Sequence, residues 1–186
     1  MRHGNLVAVS TLPIRTYGDL VLQTPTTEVE NIDAKIAALA ESMIETMYDA
    51  PGVGLAANQV GVQKRLFVYD KGEGDGPHTI VNPIIVETSG EWVYEEGCLS
   101  VPGLSWEITR PNQVHLKGYD LDGNELDIET DEYEARIFQH ECDHLDGVLL
   151  VERLTDDQKK EAKKILRKRR LNFTRDPDGL HQLLGD

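Results

Sequence analysis

"QHECDHLDG", Gln139–Gly147, decides how this chain is read, because it holds the pattern His-Glu-x-x-His. Residues four apart on an α-helix differ by about 40° of rotation, so His140 and His144 share one face and Glu141 lies beside it. Two imidazoles flanking a carboxylate suit a metal ion with an acid/base nearby, whereas the plainer reading is a polar, solvated helix face. A catalytic metal normally takes three protein ligands. Cys142 sits about 200° around the helix from His140 and reads as a small buried hydrophobe. Asp143 is displaced from the two histidines, and Asp146 falls at the helix end. The zinc-protease extension wants a histidine three residues after the glycine, and that position is Leu150. Glu152, Glu161 and Cys98 remain. Cys98 stands in "EEGCLSVPG" (95–103), whose glycines and proline suit a constrained loop, although a packed core cysteine fits too. Spacing alone does not choose among these three.

Working outward, Glu132–Leu145 reads as the helix that carries the motif, ended by Gly147. Apolar residues recur at helical spacing from Ile32 to Tyr48, with Asp33 as N-cap, Pro51-Gly52 as the stop, and Met43 and Met47 facing a core. "RLFVYD" (65–70) and "TIVNPIIVE" (79–87) are β-rich, and the glycine-rich loop between them reads as a hairpin tip because no helix start follows it. "NQVHLKGYDLDGNELDIE" (112–129) reads as two strands around an Asp-Gly turn. Asp120, Asp122 and Gly123 lack the remaining positions of a calcium loop. "TDDQ" (155–158) matches a capping box and opens a last helix to about Arg170. Helix, many strands, helix, helix points to an α+β fold rather than alternating βαβ units.

The chain has 186 residues, enough for one domain with its own core. Hydrophobic content of 39% and charged content of 28% exclude disordered and collagen-like classes. No apolar run approaches a membrane span and the N-terminus has no signal-peptide core, so a cytoplasmic location is expected. Two cysteines in such a compartment read as buried, catalytic or metal-bound rather than bridged. The net charge of −14 is uneven: ten of nineteen basic residues lie between Arg153 and Arg175 against three acids, a local +7 that leaves −21 elsewhere. Residues 1–12 read as a flexible leader, 13–154 as the catalytic domain and 155–186 as a basic C-terminal helix and tail.

Three segments, "GVGLAANQ" (52–59), "EGCLS" (96–100) and "QHECDHLDG" (139–147), resemble in the same order the three signature motifs of peptide deformylases. The similarity runs from about Pro13 to Leu154 and includes "YGDLVL". It implies a fold with a central metal-binding helix surrounded by antiparallel β-sheets, with N-terminal and C-terminal helices. It also implies removal of the formyl group from the N-terminal formyl-methionine of newly made polypeptides, releasing formate.

By that resemblance Cys98, His140 and His144 hold one divalent metal. Iron(II) is the expected ion in the cell, and zinc or another divalent ion is able to replace it. Glu141 is the acid/base, Gln59 and the Leu99 amide are oxyanion donors, and Val53, Gly54 and Gly97 line the substrate, with Gly54 letting an extended peptide approach. Some members carry an arginine where this chain has Ser105, so that contact is not expected here, and Trp106 is a candidate to reshape the same wall. Arg110 is expected to pair with Glu96 and hold the cysteine loop. The basic helix is a candidate contact for ribosomal RNA, since phosphate attracts lysine and arginine. Two other readings remain: a metallopeptidase with a downstream Glu ligand, and a structural metal domain on a ribosome-binding protein.

Overall fold

The computed structural model describes residues 10–173, so most of the expected leader (1–9) and the tail beyond 173 lie outside it. Leu12 is anchored: its amide donates to Thr46 Oγ1 at 2.8 Å. A short 3-10 helix (Leu20–Gln23) precedes α1 (Ala34–Asp49). Asp33 caps α1 through its carboxylate, which accepts from the amides of Lys35 and Ile36; such a cap contributes about 1 kcal/mol. The apolar spacing then buries Ile36, Ala40, Met43 and Met47 on one face.

Seven strands follow: β1 (Gly54–Ala56), β2 (Leu66–Tyr69), β3 (His78–Ser89), β4 (Trp92–Gly97), β5 (Ser105–Arg110), β6 (Gln113–Tyr119) and β7 (Glu125–Asp131). A 3-10 turn, Ala57–Val60, directly continues β1. α2 spans Glu132–Leu145, the bounds expected from sequence. A further 3-10 turn (Leu150–Arg153) leads to α3 (Asp156–Phe173). The expected capping box forms, with Thr155 and Gln158 exchanging side-chain-to-backbone hydrogen bonds of 3.2 and 3.4 Å.

All pairings between these strands are antiparallel, in a five-stranded sheet ordered β1-β2-β3-β6-β7 and a separate two-stranded ribbon, β4-β5. The five-stranded sheet is covered on both faces. Leu66 and Val68 of β2 pack with α1, while Phe67 and Tyr69 of the same strand pack with Phe138, Cys142 and Leu145 of α2. Burial on both faces explains why "LFVY" is continuously apolar instead of alternating. The ribbon joins a third cluster in which Val101 and Ile108 meet Leu149, Leu150, Leu154 and two residues of α3, Ala162 and Leu166. At the β6–β7 turn the Asp120 carboxylate accepts the amides of Asp122 and Asn124, and Gly123 takes a φ of 82°, in keeping with a hairpin rather than a calcium loop. Among the described residues no helix is long and apolar enough to cross a membrane. The α+β architecture expected from the order of elements is the one observed.

Candidate metal centre and catalytic site

The sequence of α2 divides the helix. Ala135, Phe138, Cys142 and Leu145 recur at three- and four-residue spacing and face the sheet, which leaves Arg136, His140, Asp143 and His144 toward the ribbon and the C-terminal segment. Burial pushes the Cys142 thiol up to about 12, so it is inert as a ligand or nucleophile. Cys98, just beyond the end of β4, enters from the other side. Its Sγ and the ring nitrogens of His140 and His144 all lie within 4.8 Å of one another, the sole such grouping among the described residues. Cys98 Sγ stands 3.2 Å from His144 Nε2. Neither cysteine is bridged. Glu152 is committed to Lys159 and Lys163, and neither it nor Glu161 joins the grouping. A thiolate and two imidazoles form a donor set that suits a divalent transition metal.

Glu96, expected as the partner of Arg110, also holds His140. Its place two residues before Cys98, in the same "EGCLS" segment, was the available signal. The expected Arg110–Glu96 pair is present and bidentate, at 2.7 and 3.0 Å. Glu96 also accepts from Arg136 and faces His140 Nδ1 at 3.0 Å. With its proton on Nδ1, His140 turns a free Nε2 lone pair toward the cluster. Arg110 reaches on to Asp143 at 2.8 Å, and Asp143 is gripped in turn by Arg153. Burial works against the Glu96 carboxylate, but hydrogen bonds from His140 and Arg110 overcome it and hold its pKa far below the usual range. Burial and the neighbouring His140 and Arg110 depress His144, whereas at His140 burial is outweighed by Cys98 and Glu96, which raise it.

Glu141 is the other buried carboxylate, and burial raises its pKa to about 7, the range in which a group both takes and returns a proton at neutral pH. Its Oε2 is buried without a partner among the described residues. A Cβ built on Gly54 would stand 2.3 Å from Glu141 Oε1, so the bare glycine is required by the carboxylate itself, in addition to any peptide that approaches. Gln59 is buried; its Oε1 accepts the Ala56 amide at 2.8 Å, which turns Nε2 toward Ser100 Oγ (3.1 Å) and Cys98 Sγ (4.0 Å). Leu99 follows Cys98, and its side chain fits over Gly52, where a Cβ would approach Leu99 Cδ1 to 2.7 Å. The segment Arg15–Tyr17 straps both motifs, donating amides to the carbonyls of Gln59 and Ser100. Val53 and Gly97 are exposed, and a Cβ on Gly97 would meet little, so no packing demands glycine there. Ser105 Oγ donates to Glu95, and Trp106 packs half-buried against the third apolar cluster. Two surface hollows of about 480 and 420 Å³ are lined by residues of β3, β6 and β7 and by residues around Tyr69 and Asp120, and none of the site residues lines either.

The profile of polypeptide deformylases matches residues 11–160. The chain belongs to the peptide deformylase family. A peptide deformylase of Clostridium botulinum is 51% identical over 142 residues, covering 76% of this chain and 95% of that protein. The crystal structure of a peptide deformylase from Legionella pneumophila superposes with a TM-score of 0.82 at 39% identity, over 90% of this chain and 99% of that one. One from Ehrlichia chaffeensis, solved in complex with actinonin, gives 0.80 at 39% identity over 86% and 98%. Peptide deformylases are metal-dependent hydrolases that remove the N-formyl group of nascent polypeptides, and this is the activity of the chain.

Proposed function

We propose that Cys98, His140 and His144 hold the metal of this deformylase, with Glu141 as acid/base and Gln59 and the Leu99 amide as oxyanion donors. The observation that carries the reading is the meeting of Cys98 Sγ with both imidazoles, from positions 42 residues apart or more. A divalent ion held there supplies a Lewis acid that makes water acidic near neutral pH. Glu141 accepts the proton that water loses on adding to the formyl carbon. As the carbonyl oxygen gains charge, Gln59 Nε2 and the Leu99 N–H donate to it; losing one such donor typically costs about 3–4 kcal/mol in the transition state. Glu141 then returns the proton to the leaving nitrogen as the C–N bond breaks, giving formate and a free amine. Val53, Gly54 and Gly97 line the peptide. The soft thiolate among the ligands agrees with iron(II) as the cellular ion, and zinc fits the same donors.

Formate release from a formyl-Met peptide, measured alongside bound metal, tests these roles. Cys98→Ala is expected to lose metal and turnover together, and Glu141→Ala to keep metal and lose turnover. Full metal content in Cys98→Ala would falsify the ligand set. Metal analysis of protein purified without oxygen reads the native ion.

The protein is read as cytoplasmic, where nascent formylated chains emerge. Lys160, Lys164, Arg167 and Lys168 form an exposed stripe on α3 that we read as a ribosomal RNA contact. Truncation after Leu154 is a poor test, because it would strip Ala162 and Leu166 from the cluster that packs Cys98. Reversing Lys160, Lys164 and Lys168 to Glu is expected to abolish salt-sensitive ribosome binding and leave turnover of a short peptide intact. Undiminished binding of that variant at low salt rejects the contact.

A further inference from the structure

The two histidines of the cluster are held in different ways. His140 is oriented through its own ring, by the Glu96 carboxylate at Nδ1. His144 is buried too, yet its Nδ1 has no hydrogen-bond partner among the described residues. A ligating imidazole is ordinarily aimed by a partner on its second nitrogen. Without one, the aim of His144 depends on its backbone, which sits in the last turn of α2, where helices fray and carbonyls lack intrahelical donors. Asn58 supplies the missing restraint. It is fully buried in the turn after β1, and its Nδ2 donates to the His144 carbonyl across 86 residues of sequence. The Gly147 amide takes the second lone pair of that carbonyl. Among the described residues, the Asn58 bond is the sole direct hydrogen bond joining the Ala57–Val60 turn to α2. The next residue along that turn, Gln59, reaches toward Cys98.

We infer that Asn58 is a positioning residue, whose amide fixes the last turn of the ligand helix and thereby keeps His144 on the metal and in register with Gln59. This rests on the reading of His144 as a ligand. Its donor N–H, rather than its volume, does the work.

Zinc-loaded full-length protein tests it, by following transfer of zinc to an excess of a chromophoric chelator. Asn58→Asp keeps the shape and replaces the donor with an acceptor facing a carbonyl. It is expected to release zinc at least about tenfold faster than wild type, the scale of losses seen when a partner supporting a metal ligand is removed, and faster than Asn58→Ala. A residue that only fills space would rank the other way, with Asp near wild type and Ala worst; that order overturns the inference. Where Asn58→Asp does not accumulate as folded protein, Asn58→Leu carries the test, since it restores volume without a donor: fast release supports the inference, and wild-type release refutes it. His144→Ala separates the layers. If it binds zinc as wild type does, the ligand reading falls. If it loses zinc while Asn58→Asp releases at the wild-type rate, only the role of Asn58 falls.

Discussion

At the scale of single residues, the tightest constraint is the clearance between Gly54 and Glu141. One added methyl would stand 2.3 Å from a carboxylate oxygen, the far end of a flexible side chain, while Gly54 is paired with Tyr69 of β2, so Glu141 is the group that must move. A misplacement of about 1 Å at a reacting group costs on the order of 10²-fold in rate. Gly54→Ala is therefore expected to lower kcat by roughly that factor with metal content unchanged, as read by paired kinetic and metal assays. Arg110 makes a second demand. It is 5% exposed and neutralises both Glu96 and Asp143, so Arg110→Ala leaves two buried carboxylates short of a partner. Breaking a buried pair costs about 3–5 kcal/mol. Denaturant unfolding should report a loss of that order, with faster loss of metal; intact stability, metal and turnover together would reject the role. Residue types with an intrinsic chemistry, such as His140, His144 and Glu141, were legible from spacing. Glu96 was expected as the partner of Arg110 but not of His140, and Arg136, Asp143 and Asn58 were not singled out as supports, because a buried charge or amide looks in sequence like any surface polar residue until its distant partner is known.

At the scale of elements, local chemistry was a good guide. Asp33 as a cap, the limits of α2, the Asp-Gly turn and the Thr155–Gln158 box depend on neighbours within a few residues, and each formed as expected. The β4–β5 ribbon escaped notice, since its segment reads as a polar, glycine-containing loop and its strands owe their stability to contacts with α2 and the C-terminal cluster. The charge of α3 marks it as a basic C-terminal helix but says nothing of how it packs. Its lysines do face outward, but Leu166 on the opposite side is 5% exposed against the cluster that packs Cys98. Leu166→Ala is expected to destabilise the protein by about 2–5 kcal/mol. A thermal shift near zero in that variant would mean that α3 is not part of the folded unit.

At the scale of the whole molecule, the site lies where separately packed regions meet. The histidines ride on a helix whose other side packs with the five-stranded sheet, whereas Cys98 belongs to the cluster built from the ribbon, the Leu150–Arg153 turn and α3. A metal held by all three would act as a cross-link between them, closing a loop between residues 98 and 140 much as a disulfide would. Removing the ion with a chelator is therefore expected to lower Tm. It should also raise amide exchange in β4, β5 and α3 well before the β2–β3 core responds. Uniform exchange throughout would mean that the regions are already welded by packing alone. In that picture the same atom that serves chemistry also serves assembly. A newly folded chain that has not yet acquired its ion would be a hinged object, and metal capture would be the last step of its maturation.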